Sequence, residues 1–160
     1  MSGANWGVKL LKIVVILAVL GAAGVYAFLR KSEDMMAGSA AKQSIAWLGG
    51  IRSSLQVYYG DTDGKYYPES LEVLLENRKY MSEIPEARIY AKTQDGDFER
   101  VHRGAERQVK SFRSLAEADD SGGWGYIPDP AGREYGTVFV NCTHLYMGTG
   151  KGDGVPWNTF

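Results

Sequence analysis

Residues 13–29 read IVVILAVLGAAGVYAFL and contain no charged side chain. A helix needs about 20 largely apolar residues to cross the hydrocarbon core of a bilayer. The run reaches that length if Lys12 and Arg30, which flank it, extend their charged ends toward the two interfaces. Because the run is apolar on every side of a helix, a buried helix of a water-soluble core is a poor alternative. We therefore predict a transmembrane helix over residues 8–30.

The apolar pattern continues after this run in steps of three and four residues, which is typical of one helix face. Gly60 then suits a helix C-terminus. We predict an amphipathic helix over residues 31–60 that continues the transmembrane helix, followed by a folded head over residues 61–160. The predicted inner face consists of Met36, Ala40, Ala41, Ile45, Leu48, Ile51, Leu55 and Tyr58.

A cleaved secretory signal peptide is the main alternative for the N-terminus. Lys9 and Lys12 would form its basic region, and residues 25–27 (VYA) would form a small-residue cleavage site. The helical pattern does not stop at Ala27, which favours a retained helix. Flanking charge does not decide the topology, since basic residues lie on both sides. We place the short N-terminal side in the cytoplasm and the head outside, because a short segment remains in the cytoplasm more readily than the long chain that follows the apolar run.

The head combines helical and strand patterns, which predicts an α+β fold with the long N-terminal helix packed against a small antiparallel β-sheet. We expect a short helix that starts at Pro68, a second helix within residues 107–118, and a hairpin of strands over residues 122–127 and 135–141. The apolar side chains expected to pack inward outside the strands are Leu71, Leu74, Leu75, Trp157 and Phe160.

Composition argues for a folded protein without a nucleic-acid partner. The chain has 160 residues, of which 44% are hydrophobic and 23% charged, and its net charge is −1. Basic residues recur between positions 100 and 113, but Glu99 and Glu106 interrupt them. A solvated face is the favoured interpretation of this mixed stretch. Its basic members are Arg100, Arg103, Arg107, Lys110 and Arg113.

The sequence contains no recognisable catalytic motif, so we predict that the protein is not an enzyme. His102 and His144 are the only histidines, and their spacing matches no metal motif. Cys142 is the only cysteine and is expected to be a buried small apolar residue. Cys142 and His144 would share one side of a strand, but no third group is evident to orient the imidazole.

We expect no cofactor and no metal site, and calcium is the one candidate that the sequence offers, on few ligands. Asp61 and Asp63 lie in a DTDG stretch that resembles the start of a calcium loop, but the later oxygen ligands are missing. A plain turn is the favoured interpretation. Asp153 lies in a glycine-rich stretch and is a single acid, which is few ligands for calcium.

Two groups of residues carry a resemblance to a known family. The first is Gly7, Val8 and Gly21 around the apolar run, and the second is residues 58–68 (YYGDTDGKYYP) after the long helix. Together they resemble the type IV pilin superfamily, and especially the major pseudopilins of type II secretion. The resemblance makes Gly7 the last residue of a prepilin leader, Val8 the first residue of the mature helix and Gly21 its fourteenth, and residues 58–68 hold Tyr, Asp, Gly, Tyr and Pro in the order typical of the family. The resemblance covers residues 7–90 well and residues 122–145 loosely.

The resemblance implies a structural subunit of a type IV pilus or of a type II secretion pseudopilus. Prepilin peptidase would remove residues 1–7 by cutting between Gly7 and Val8, and the subunit would be methylated. Its partners would be other pilin or pseudopilin subunits and the membrane proteins of the assembly platform. The chain would be a single-pass protein of a bacterial inner membrane, with its N-terminus cytoplasmic and its head periplasmic or carried into an extracellular filament.

Lys12 departs from the family, which has a glutamate at the fifth position of the mature helix. In the family that carboxylate is thought to pair with the N-terminal amine of a neighbouring subunit, which a lysine would repel. This substitution favours a minor or tip subunit, or an uncleaved membrane protein related to pilins. A further alternative is an envelope binding module on a pilin-like scaffold, whose ligand surface would consist of Tyr58, Tyr59, Tyr66, Tyr67, Trp124 and Tyr126.

Overall fold

The computed structural model describes residues 4–92, 98–146 and 154–160. The chain divides into two units, Met1–Met36 and Ala37–Phe160. A single helix, α1 (Ala4–Asp61), contributes to both units. The prediction that the apolar and amphipathic segments form one continuous helix is therefore confirmed.

The first unit consists of the N-terminal part of α1. Its large apolar side chains are exposed around the whole helix, as at Val14 (57%), Leu17 (62%) and Phe28 (72%). Straight-chain and small residues such as Leu and Ala favour the helix, while the absence of proline leaves every backbone hydrogen bond intact. Among the described residues of this unit, nothing covers the apolar surface.

The second unit begins with the part of α1 that has one buried face. Buried residues recur at alternating steps of four and three, which is the period of a helix face that packs against a core. They are Ala37, Ala41, Ser44, Leu48, Ile51 and Leu55. Four of the predicted inner residues are almost completely buried: Ala41 and the large aliphatic residues Leu48, Ile51 and Leu55. Burying each such aliphatic side chain stabilises the head by about 1.5–3 kcal/mol.

The prediction for the beginning of this face was wrong. Met36 is 72% exposed, and the neighbouring Ala37 is buried instead. Ser44, which the apolar pattern omitted, is also buried. Its hydroxyl can be buried because it forms hydrogen bonds with the backbone of Arg88. The Ser44 Oγ accepts a hydrogen bond of 2.8 Å from the Arg88 N–H and donates one of 3.0 Å to the Arg88 carbonyl.

The head contains two small sheets. Strands β1 (Ile89–Lys92) and β2 (Phe98–Val101) form an antiparallel pair. The second sheet has the order β3-β4-β5, where β3 (Val109–Ser111) is parallel and β5 (Val138–Val140) antiparallel to β4 (Trp124–Tyr126). These elements and the helical segment from Ala37 enclose one hydrophobic core, which gives the head an α+β layout.

Three 3-10 helices complete the head, at Leu71–Arg78, Leu115–Glu117 and Trp157–Thr159. The first overlaps the short helix that was expected to start at Pro68, but it begins three residues later, at Leu71; its Leu71 and Leu74 are buried. The expected packing of the C-terminal segment is also confirmed. Trp157 is fully buried, and its indole N–H donates a hydrogen bond of 3.2 Å to the Tyr90 carbonyl.

The hairpin expected from the GGWGY stretch is present as β4 and β5, and a glycine permits its packing. Gly125 pairs with Phe139 across the two strands. A Cβ at position 125 would lie 2.2 Å from the Phe139 ring. Only a residue without a side chain allows the ring to lie flat over the strand at this point.

Two expectations for the head were wrong. Residues 107–118 do not form a helix, since this stretch contains β3 and the short 3-10 turn Leu115–Glu117. The three-stranded sheet is mixed rather than antiparallel, because β3 adds to β4 in parallel. The parallel pairing depends on contacts between distant parts of the chain, which local periodicity does not report.

Candidate functional site

The first candidate site is the exposed apolar surface of α1. Within the described residues, α1 is the one helix long and apolar enough to cross a membrane, and none of its most apolar stretch is buried. A water-soluble monomer rarely exposes a continuous apolar surface of this extent. Lipid or a bundle of apolar helices satisfies such a helix, since its backbone groups are already paired internally.

The residues predicted for processing and assembly all lie on this part of α1. Gly7 and Val8 lie in its second turn, and Val8 is 52% exposed. Gly7 and Gly21 have open space on the side where a Cβ would stand. Lys12 follows one turn after Val8 on the same helix. A small residue with open space beside it suits close approach of a second helix.

The six aromatic residues suggested as a ligand surface do not share an exposed face. Trp124 and Tyr126 are completely buried. Tyr59 stacks on Tyr67 with ring centres 4.6 Å apart, and both are partly buried. Tyr66 alone among the six is mostly exposed, at 51%. Most of these rings therefore belong to the hydrophobic core of the head or pack against it near the end of α1.

The two aspartates named as calcium candidates in the DTDG stretch lie in the turn that ends α1. The Asp61 carboxylate is 2.7 Å from the Lys79 ammonium, and Asp63 is 3.3 Å from that of Lys65. In the described part of the chain neither carboxylate belongs to a group of three or more potential metal ligands. Asp153 lies outside the described residues.

Three basic residues between positions 100 and 113, namely Arg100, Arg107 and Lys110, pair with carboxylates of the head. Arg100 lies 2.8 Å from Glu106, and Lys110 lies 2.7 Å from Asp119. Such pairs are typical of a solvated protein surface with mixed charge.

The second candidate site is a cluster that the fold assembles from three loops. His102 follows β2, Asp120 precedes β4, and Cys142 and His144 follow β5. Their potential ligand atoms all lie within 4.8 Å of one another. The Asp120 Oδ1 is 3.4 Å from both the His102 Nε2 and the His144 Nδ1, and the Cys142 Sγ is 3.4 Å from the same His144 Nδ1. We call these four residues the His-Asp-Cys-His cluster.

Backbone hydrogen bonds and a neighbouring polar network hold the cluster in place. The Thr143 N–H donates a bond of 2.7 Å to the Asp120 Oδ1. The Asn141 amide donates bonds of 2.7 Å to Asp119 and 2.9 Å to the Ser121 hydroxyl, which fixes the loop before β4 against the end of β5. These contacts orient the Asp120 carboxylate much as outer-shell partners orient ligands in metal sites.

Gly122 allows His102 to approach this loop. Its φ is +86°, and a Cβ there would lie 2.3 Å from the His102 Cβ. His102 itself has a φ of 55°, in the left-handed region that non-glycine residues rarely adopt. The imidazole is therefore held in position by a local backbone conformation that costs free energy.

The local environment shifts the pKa values of two cluster residues in opposite directions. Burial, with a smaller contribution from the Asp120 charge, raises the pKa of Cys142 to about 12. Burial also acts to raise the pKa of Asp120, but the Thr143 N–H and the neighbouring histidines together hold that pKa below its usual value. In the metal-free protein Cys142 is therefore a thiol and Asp120 a carboxylate at neutral pH.

This arrangement is unsuited to nucleophilic catalysis. In a Cys-His-Asp triad the base contacts the nucleophile through one ring nitrogen and the acid through the other. Here the Nδ1 of His144 faces both the Cys142 Sγ and the Asp120 Oδ1. Cys142 is also completely buried, and a thiol with a raised pKa is a weak nucleophile.

Sequence reasoning found the Cys142 and His144 pair and correctly expected Cys142 to be buried. It missed the convergence with His102 and Asp120, because it searched for ligands at the short spacings of known metal motifs. His102 and His144 are far apart in sequence, yet their ring centres lie 5.3 Å apart. No local sequence pattern could have indicated this contact.

No protein-family model, curated protein or solved structure matches this chain.

Proposed function

We propose that this protein is a membrane-anchored structural subunit of a filament, of the type IV pilin or type II secretion pseudopilin kind. The observation that carries the proposal is the uninterrupted helix α1 (Ala4–Asp61). Its N-terminal part is apolar and exposed on all sides, and its C-terminal part is buried on one face only. A helix with this division fits a subunit whose apolar half lies in the bilayer before assembly and among other subunits afterwards.

The absence of a suitable catalytic arrangement within the described residues is compatible with a structural role. The aromatic rings near the end of α1 pack mainly on one another, which gives little support to an envelope module that binds a ligand through them. The proposed topology leaves the N-terminus in the cytoplasm and the head in the periplasm. Prepilin peptidase would act on the bond between Gly7 and Val8.

Lys12 favours a minor or tip position in the filament. An ammonium group at this place would repel the N-terminal amine of a neighbouring subunit, and the repulsion is strong in a medium of low dielectric constant. A subunit at the tip has no neighbour on one side, so it avoids part of this repulsion. The proposal therefore includes a specific prediction about charge at position 12.

The test is to shear filaments from cells that express the full chain with its own assembly machinery. We expect the protein in the filament fraction at a low ratio to the bulk subunit. The Lys12→Glu variant should enter filaments in greater amount, because a carboxylate attracts the amine that the lysine repels. Lys9→Glu is the matched control on the same helix and should leave the amount unchanged or reduced.

Complete absence of the chain from filaments, at a normal level in the membrane fraction, would contradict the proposal. It would leave the membrane-anchored binding module as the alternative. Equal effects of Lys12→Glu and Lys9→Glu would contradict the role assigned to position 12.

A further inference from the structure

We propose that the His-Asp-Cys-His cluster of the head is a binding site for a divalent zinc ion, with His102, Asp120, Cys142 and His144 as its four ligands. The site is independent of the filament function proposed above. It would join three loops, those that follow β2, precede β4 and follow β5.

The distances between the potential ligand atoms suit a tetrahedral ion. Zinc bonds of about 2.0–2.3 Å to nitrogen, oxygen and sulfur imply separations of about 3.3–3.8 Å between neighbouring ligand atoms. Three separations in the cluster are 3.4 Å, and all lie within 4.8 Å. An ion at the centre would thus require small movements of side chains already directed at one another.

The chemistry of the four groups is that of a zinc site. Two imidazoles, one carboxylate and one thiolate are all common zinc ligands, and the two anionic groups together neutralise a dication. The mixture of nitrogen and sulfur disfavours magnesium and calcium, which prefer oxygen ligands. Binding would form a Zn–S bond to Cys142 and release the thiol proton to solvent. Four protein ligands close the coordination shell, which is typical of a structural rather than a catalytic site.

An unpartnered polar atom provides an independent indication of a ligand. The His102 Nε2 is inaccessible to solvent and has no hydrogen-bond partner among the described residues. The Asp120 Oδ1 lies 3.4 Å from it without forming a hydrogen bond. A buried nitrogen without a partner is costly, and coordination of an ion would remove that cost.

The cluster also has an access route and an orienting shell. The side chains of Asp120 and His144 are 33% and 41% exposed, so an ion can reach the cluster from solvent on their side. Cys142, in contrast, is completely buried. The Thr143 N–H fixes the carboxylate from outside, which resembles the second shell of a metal site.

The first experiment uses the full chain in detergent micelles, made metal-free under reducing conditions and without a polyhistidine tag. Titration with Co²⁺ should give the visible bands of a tetrahedral cobalt ion and a thiolate-to-cobalt charge-transfer band, both complete at one ion per chain. Because Cys142 is the only cysteine, this band identifies the ligand without a mutation. Zinc should displace cobalt and raise the melting temperature of the head by on the order of 10 °C at a hundredfold excess over the dissociation constant.

Variants then locate the ion. His144→Ala should weaken zinc binding by more than about 100-fold, which exceeds the typical effect of losing an outer-shell partner. This variant is the safest for folding, because His144 is the most exposed of the four residues. Cys142→Ser should abolish the charge-transfer band. Asp63→Asn is the matched control, a surface carboxylate paired with Lys65, and should bind as the unaltered chain does.

The proposal is overturned if the unaltered chain gives no thiolate-to-cobalt band, or if zinc does not bind at one ion per chain. It is also overturned if His144→Ala and Asp63→Asn bind zinc equally well, since the ion would then lie elsewhere. In either case the four side chains converge without a metal ion, held by the hydrogen bonds and the backbone conformation of the three loops.

Discussion

The two parts of helix α1 have the same backbone structure and opposite surroundings. In the first unit Leu17 is 62% exposed, whereas Leu48 in the second unit is 1% exposed. Both are leucines within an unbroken helix, so helix propensity does not distinguish them. The difference is that the core of the head covers one face of the second part, whereas the large apolar side chains of the first part are exposed.

This comparison indicates where the stability of each part comes from. Tertiary packing, rather than propensity, provides most of the stability of helices in folded proteins. The part of α1 from Ala37 takes that stability from the core of the head. The apolar part has to take it from lipid or from other helices, which is the physical basis of the function proposed for the chain.

The largest expected effect is on the free energy of unfolding of the head, when one leucine on each part of α1 is replaced by alanine. Leu48→Ala should lower the free energy of unfolding of the head by about 2–5 kcal/mol, because it leaves a cavity in the core. Leu17→Ala should leave that free energy unchanged. Chemical denaturation of the full chain in detergent, followed by tryptophan fluorescence, measures both. Equal losses would show that the first part also packs against the head.

A charge in the apolar part tests its proposed membrane environment. Leu17→Arg should weaken insertion by about 3 kcal/mol, since arginine is costly at the centre of a transmembrane helix. Val57→Arg is the control, because Val57 is a 56% exposed aliphatic residue on the second part. Alkaline extraction of membranes should release more of the first variant and no more of the second. If neither variant is released, residues 13–29 do not depend on lipid in the way proposed.

Two serines sharpen the comparison within the second part of α1. Ser44→Ala should destabilise the head by about 1–2 kcal/mol, because two hydrogen bonds to the Arg88 backbone are lost, and the Arg88 N–H keeps only the Glu86 carbonyl, at 3.2 Å, as an acceptor. Ser53 is exposed and its hydroxyl bonds only its own helix, at the Gly49 carbonyl. Ser53→Ala should therefore change stability by less than about 0.5 kcal/mol. Similar values for the two variants would show that the hydrogen bonds to Arg88 do not anchor α1 to the head.

The smallest expected effect concerns pH. Burial, followed by the neighbouring Tyr135 and Tyr67, raises the pKa of Tyr126 in the folded head. The unfolded chain ionises this tyrosine near pH 10, so its contribution to stability is complete below about pH 10 and is lost as the pH rises further.

Tyr126→Phe isolates this contribution. The variant should be about 1 kcal/mol less stable at pH 7, because the hydrogen bond to the Pro68 carbonyl is lost. Its stability should also fall less steeply above pH 10. Tyr26→Phe, on the apolar part of α1, should follow the unaltered chain. If the stability of all three proteins depends on pH in the same way, the pKa of Tyr126 does not differ between the folded and unfolded chains.

The sequence predicted α1 well, because hydrophobic periodicity over many turns is a strong signal. It misplaced the beginning of the buried face, since Met36 is more apolar than Ala37 but only the packing decides which one is covered. The hairpin of β4 and β5 was also predictable from alternating apolar residues and a turn. Strand β3 was not, because its parallel pairing with β4 depends on contacts that form only in the folded head.

The two candidate sites differ in the same way. The apolar surface of α1 is a property of contiguous residues and could be predicted before the structure was known. The His-Asp-Cys-His cluster combines side chains from three loops, and two of its members rest on backbone with positive φ, His102 and Asp120. Neither the convergence nor the backbone conformation follows from local sequence, so only the structure could reveal this site.

The most direct test of the account is the N-terminal sequence of the protein isolated from its native membranes. The account holds that the apolar part of α1 stays attached to the head as a membrane anchor. It predicts a mature chain that begins at Val8, after cleavage by prepilin peptidase. A chain that begins at Met1 would keep the anchor but would indicate an uncleaved relative of pilins. A chain that begins near Phe28 would contradict the account, because it would have lost the apolar helix with its signal peptide.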